Sequence, residues 1–108
     1  MNRLALSPNA QEDLRQIQEY IAEELENPDA ALRTVAEITR KLRMLEQHGE
    51  LGARLVSVTG LESKYRFLVC GNYLAFYRFE AETAYIDRIL YGRRDFMRIL
   101  FGIGSDQS

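Results

Sequence analysis

The chain has one cysteine, Cys70, and one histidine, His48. Its only lysines are Lys41 and Lys64, and its only prolines are Pro8 and Pro28. A single cysteine excludes an internal disulfide, is compatible with a reducing compartment, and reads as a buried, inert thiol. A single histidine excludes a multi-histidine metal site and any serine–histidine pair that does not use it; no cofactor is expected. At the end of a helix, His48 reads as a partner for the helix dipole. Long apolar runs are also missing. No stretch approaches membrane-spanning length, and Met1–Ser7 lacks the apolar region of a signal peptide, so a soluble, cytoplasmic protein is expected. The formal net charge is only −2, with a pI near 5.4, which argues against coating nucleic acid by bulk charge. An apolar share of 46% and a charged share of 28% do not indicate disorder. At 108 residues, one domain spanning 1–108 is expected, with 104–108 a frayed polar tail.

The charge is unevenly placed. Residues 1–50 hold six Lys/Arg against ten Asp/Glu, a net of −4, whereas residues 51–108 hold eight against six, a net of +2. The second half is therefore the basic one, and its cations are almost all arginine. Arginine presents a planar fork suited to bidentate contact with carboxylate or phosphate.

Arg3–Ser7 (RLALS) has the makeup of an edge strand. Ser7-Pro8 then signals a helix start: serine can cap the first free backbone donors, and proline already has the required φ. Glu12 and Asp13 fall where the helix dipole favours negative charge. Apolar residues recur at Ala10, Leu14, Ile17, Ile21 and Leu25, which makes one helical face; Tyr20 sits at its rim. Asn27-Pro28 repeats the starting device, and a second helix is expected to about Gln47, burying Ala31, Val35, Ile38, Leu42 and Leu45, with Gly49 as a left-handed stop. So short a break predicts an antiparallel helical hairpin. Each helix has one apolar stripe, so the pair needs a third surface. Between Glu50 and Ser63 a loop with a short extended piece is expected.

The third surface is Lys64 to Arg94, KYRFLVCGNYLAFYRFEAETAYIDRILYGRR. Three runs rich in aromatic and branched residues are separated by Gly71-Asn72 and Glu80-Ala81-Glu82, the pattern of a three-strand antiparallel meander. A two-residue turn at Gly71-Asn72 pairs Cys70 with Tyr73, Leu68 with Ala75 and Arg66 with Tyr77. One face then carries Arg66, Leu68, Cys70, Tyr73, Ala75 and Tyr77. The other carries Tyr65, Phe67, Val69, Leu74, Phe76 and Arg78, and is the more continuously apolar. The second face is therefore expected under the helices, with Arg66 and Tyr77 looking outward together. A one-residue slip at the next turn exchanges the faces of Asp87 and Arg88, and the sequence admits both. Arg78 and Arg88 read as structural ion pairs across strands, Arg78 toward Asp87 or Glu80. Arg93 and Arg94 lie at the exit of the last strand, and Phe96–Phe101 reads as a short terminal helix.

The ordered set LSPNAQEDLRQIQEYI, NPDAA, KYRFLV, NYLAFYRF and IDRILYGRRDFMRIL resembles the RelE/ParE superfamily of bacterial type II toxins over nearly the whole chain. The resemblance implies an α+β fold of order β-α-α-β-β-β with a short C-terminal helix, the helical hairpin lying on one face of an antiparallel sheet. It also implies a cognate antitoxin that wraps the toxin, a toxin–antitoxin hetero-oligomer, and one of two targets. The ParE branch poisons DNA gyrase. The RelE branch is an mRNA interferase that cuts messenger on the ribosome with basic residues and often a C-terminal tyrosine or histidine. A third reading is a non-toxic descendant that only binds a partner. Arg66 matches the strand arginine of RelE-like nucleases, and Arg93 or Arg94 the basic residue after the last strand. Leu100 stands about where their tyrosine belongs, and the lysine-rich early region is missing.

Cleavage of RNA through its 2′-hydroxyl needs a base, a charge stabiliser and an acid. Arg66, Arg93 and Arg94 suit the stabilising task and would be the catalytic candidates of a RelE-like enzyme. Guanidinium cannot act as the base, and Tyr65, Tyr77 and Tyr91 start from a reference pKa near ~10. The gyrase-poisoning reading is favoured, with Arg66, Tyr77, Tyr91, Arg93 and Arg94 as the expected target-binding set.

Overall fold

A computed structural model describes residues 1–92 and 94–102. Arg93 and the tail at 104–108 lie outside the described residues. The chain runs β1 (Arg3–Leu6), α1 (Pro8–Glu19), a π-helical turn (Tyr20–Glu24), α2 (Pro28–Arg43), a 3₁₀ turn (Met44–Glu46), β2 (Ala53–Arg54), α3 (Val56–Thr59), β3 (Arg66–Cys70), β4 (Tyr73–Glu80), β5 (Thr83–Tyr91) and α4 (Phe96–Phe101). Both expected helix starts are present. The Ser7 hydroxyl accepts from the Ala10 amide at 2.9 Å, and the Asn27 carboxamide oxygen accepts from the Ala30 amide at 3.1 Å. α2 does not stop on a left-handed Gly49. It tightens into the 3₁₀ turn, and Gly49 is small because the Phe79 ring lies where a Cβ would be.

The strands form one sheet of order β1-β5-β4-β3-β2. The meander has the expected register, with Arg66 opposite Tyr77, Leu68 opposite Ala75 and Cys70 opposite Tyr73. Gly71, at φ 64°, takes the first position of that tight turn. The N-terminal strand is an edge, and it pairs parallel with β5, so the sheet is mixed rather than wholly antiparallel. The extended piece expected in the 50–63 loop is β2, which pairs only Ala53 and Arg54, with Phe67 and Arg66.

The helices cover the face opposite to the one expected. α1 and α2 pack Ala10, Ile17, Ala31, Ile38 and Leu42 against Leu68, Cys70, Ala75, Tyr77, Ala84, Ile86 and Ile89. The small side chains at Ala75 and Ala84 let the helices approach. The other face is apolar for a separate reason: Leu55, Phe76 and Leu90 lie under Phe96, Ile99, Leu100 and Phe101 of α4. Phe76 stacks on Phe96 with centroids 5.1 Å apart. Continuous apolarity therefore could not identify the helix-bearing face, because both faces are covered. Cys70 is buried as expected, and burial pushes its thiol up to about 11.

β5 carries a bulge. Phe76 pairs with Arg88 but Tyr77 with Ile86, which leaves Asp87 as the extra residue. The bulge settles the two faces. Arg88 reaches over to α1, where its Nε and Nη2 donate to the Asp13 carboxylate at 2.8 and 2.9 Å. Asp87 points to the α4 side and accepts from Tyr65 Oη at 2.8 Å and Arg78 Nε at 3.1 Å. Asp13 is thus not a solvated acid near the helix N-terminus. It is 7% exposed, and it also accepts from the Ile89 amide at 2.9 Å. Those hydrogen bonds raise the pKa of Arg88 against the opposing effect of its burial. Removing the carboxylate strands a cation and an amide together. Asp13→Ala is expected to cost about 2–4 kcal/mol in a urea melt, the lower end reflecting the part of Arg88 that solvent reaches.

Candidate functional site

The expected binding set divides between two ends of the sheet. Arg66 and Tyr77 are cross-strand neighbours, but they face inward. Tyr77 is 0% exposed. Its hydroxyl donates to the Gly49 carbonyl at 2.9 Å and accepts from the Gly52 amide at 2.8 Å. Arg66 Nη1 donates to the Gly52 carbonyl at 2.9 Å and the Glu50 carbonyl at 3.4 Å, and Nη2 lies 3.9 Å from the Glu50 carboxylate. The pair clamps the loop that leads from α2 into β2. A Cβ on Gly52 would sit 2.6 Å from the Phe67 carbonyl oxygen and 2.8 Å from the Tyr77 hydroxyl, so the clamp closes on a bare backbone. Tyr77 is a core residue, not an outward contact, because its one polar atom finds two buried backbone partners.

Arg78 pairs with Asp87 at 3.1 Å and Glu80 at 3.5 Å, and its guanidinium carbon lies 5.1 Å from the Tyr85 ring centroid. Arg78 therefore has the cross-strand ion pair expected of it, whereas the ion pair of Arg88 is structural but runs to Asp13 of α1 and not across strands. Tyr65 donates to Asp87, and burial followed by that bond pushes its hydroxyl up to about 12. Burial also raises Tyr73 and Tyr77.

Tyr91 and Arg94 lie at the opposite end of the sheet, about four residues, or roughly 13 Å, along the strands from Arg66 and Tyr77. They line a cleft of about 720 Å³. Ile17 and Ile21 of the first helical segment, with Ile89 and Leu90 of β5, make its apolar floor. Tyr73 and Tyr91, paired across β4 and β5, meet edge to face with centroids 5.8 Å apart on one wall. Tyr20 and Leu25 form the facing lip, 53% and 55% exposed. The π-helical turn puts them there: the Leu25 amide bonds back to the Tyr20 carbonyl at 3.1 Å, so Leu25 leaves the apolar stripe that an unbroken α-helix would have kept it on. Among the described residues Asp13 is the only carboxylate lining the cleft, and Arg88 pairs with it. Arg94 is exposed and forms no ion pair with another described residue.

Sequence reasoning named Tyr91 and Arg94 but passed over Tyr20, Leu25 and Tyr73. The asparagine–proline break after Leu25 shows where the helix ends but not that its last turn widens. Among the described residues no group of three or more His, Cys, Asp or Glu side chains is placed to hold a metal ion. No helix among them is long and apolar enough to cross a membrane.

The profile of one family, described as "ParE toxin of type II toxin-antitoxin system, parDE", matches residues 4–96. The chain belongs to the ParE toxin family. A solved structure titled "Chromosomal ParDE TA system from P. aeruginosa" is similar at a TM-score of 0.70 and 26% sequence identity, over 84% of this chain and 96% of that one. No curated protein matches by sequence. As a ParE-type toxin of a type II system, the chain has the α+β fold of that neighbour, and its family implies an antitoxin partner.

Two outcomes follow from the hydroxyls. Tyr77→Phe should lower stability by about 1–3 kcal/mol in chemical denaturation, since it leaves the Gly49 carbonyl and the Gly52 amide buried and unpaired. In a spectrophotometric titration of the folded protein, one tyrosine should ionise near pH 12, and Asp87→Ala should move it down. The sign follows from a folded-state pKa above the unfolded one. Tyr65's contribution to stability is whole below ~10 and is lost as pH rises through about 12.

Proposed function

We propose that this ParE-family toxin arrests growth by binding DNA gyrase in the cytoplasm, not by cutting messenger RNA, and that its antitoxin neutralises it. One observation carries the reading against hydrolysis: Arg66 and the hydroxyls of Tyr65 and Tyr77 are engaged in holding the fold, and the exposed Arg94 cannot serve as a base. Arg66 holds the loop at Gly49–Gly52, Arg78 and Arg88 hold Asp87 and Asp13, and the hydroxyls of Tyr65 and Tyr77 are bonded. Tyr65, Tyr73 and Tyr77 are all raised, the wrong direction for a group that must accept a proton at neutral pH. The family match supports the gyrase branch.

Tyr91 and Arg94 are the target contacts in this reading, because they alone of the expected set are both described and exposed. Arg93 follows the same strand and belongs to the set by position. A supercoiling assay with purified gyrase and a translation extract primed with a reporter messenger together test the reading. The expected result is inhibited supercoiling with intact messenger, and a tenfold or greater loss of inhibition in Tyr91→Ala and Arg94→Ala. Codon-phased cuts in the messenger with unaffected supercoiling would replace gyrase binding by ribosomal cleavage. Normal growth on induction of folded protein would mean that it only binds a partner.

A further inference from the structure

A second surface lies at the edge of the sheet beside β2. We propose that this edge joins two copies of the chain about a twofold axis, with Val58 and Leu61 at the centre and Arg54 of each copy set on Glu62 of the other. The inference goes beyond the gyrase reading and does not depend on it.

The apolar side chains come first. β2 is the outermost strand on its side of the sheet. Leu51 before it, and Val58 and Leu61 after it, are exposed, Val58 at 64%. Exposed apolar groups with a polar rim are the makeup of a contact surface. β2 itself is only Ala53–Arg54. So short an edge offers an incoming strand no ladder, and whatever covers it is held by side chains.

The charges select the occupant. Arg54 stands directly opposite Arg66 across β2 and β3, and like charges so placed oppose the pairing. Arg66 has the Glu50 carboxylate 3.9 Å away. Arg54, Glu62 and Lys64 are exposed and form no ion pair with another described residue, although they line one groove of about 530 Å³. Unpaired charges of both signs suit neither a polyanion, which Glu50 and Glu62 repel, nor a partner of the opposite bias. They suit a second copy. A twofold axis turns the surface onto itself, so an acid of each protomer meets a base of the other and the apolar residues meet one another. The cleft with Tyr91 and Arg94 lies at the other end of the sheet and stays open in both copies.

The test uses the full chain. Sedimentation velocity should show a dimer that forms as concentration rises, in the weak range that a small contact allows. Hydrogen exchange should slow at residues 51–64 as it forms. Val58→Asp changes an exposed side chain and should leave a monomer that circular dichroism shows to be folded. Arg54→Glu and Glu62→Arg should each weaken self-association tenfold or more. Mixed together, these two variants should pair with each other, because every contact across the axis then joins an acid to a base. Misfolding of either variant would give no such rescue. A chain that stays monomeric up to millimolar concentration would overturn the proposal, as would a dimer that none of the three variants weakens. Protection of 51–64 only by an added single-stranded oligonucleotide, or only by the antitoxin, would give the edge to that occupant and end the proposal. None of these results bears on the gyrase reading, which the supercoiling assay decides separately.

Discussion

The Asp13 carboxylate is the joint on which the two layers turn. It is a buried acid on α1 that takes both donors of the Arg88 fork and the Ile89 amide. A bulge at Asp87 puts Arg88 on the helix side and misaligns the local ladder. The N-terminal half of α1 and its cap make good what the bulge disturbs. Ser7 donates its hydroxyl to the Asp87 carbonyl at 2.8 Å and its amide to the Ile86 carbonyl at 2.9 Å, and Asp13 accepts from the next free amide. Helix and strand are thereby fixed in angle and register, because each supplies what the other leaves unsatisfied. A hydrophobic pair of the same volume would bury area at this point but could not hold the bulge.

That joint determines what lies at either end of the sheet. Toward the start of β3, the Arg66–Tyr77 clamp fastens the loop that carries the chain across the sheet edge. Toward the end of β5, the cleft lies between the π-helical turn and the ends of β4 and β5. The polar groups at the first end are directed inward to carbonyls and amides. Those at the second, Arg94 and the tyrosine rim, are directed outward. One small sheet thus separates an end whose polar groups are tied down from an end whose polar groups are exposed.

Much of this was legible in the residues. Ser7-Pro8 and Asn27-Pro28 marked both helix starts because capping chemistry is local, and the Gly71-Asn72 turn set the β3–β4 register because a two-residue hairpin leaves no freedom. What escaped was nonlocal. Ala81 and Glu82 form a two-residue turn with φ of 49° and 61° and without a glycine, so nothing in them announced its length. The bulge at Asp87 has no local signature either. The face under the helices was misassigned because α4, only six residues long, makes the other face look like a core. Arg66 and Tyr77 were placed outward by that same inversion. Asp13 could have been noticed: it follows Ala10 by three and precedes Ile17 by four, which puts an acid inside the apolar stripe of α1 and calls for a buried partner. Leu25 could not, since its exposure depends on a π turn that periodicity at 3.6 residues does not foresee.

The parallel pairing of β1 with β5 joins residues about eighty positions apart, from Arg3 opposite Thr83 to Leu6 opposite Ile86. Synthesis is vectorial, so a nascent chain holds its first strand and both long helices long before their mate emerges from the ribosome. Until Ile86, Arg88 and Ile89 emerge, the helical pair lacks the β5 part of its floor and Asp13 lacks the Arg88 counter-ion. The cleft, whose walls come from opposite ends of the polypeptide, does not exist before translation is nearly finished. The architecture by itself defers completion of this surface to the last stage of synthesis.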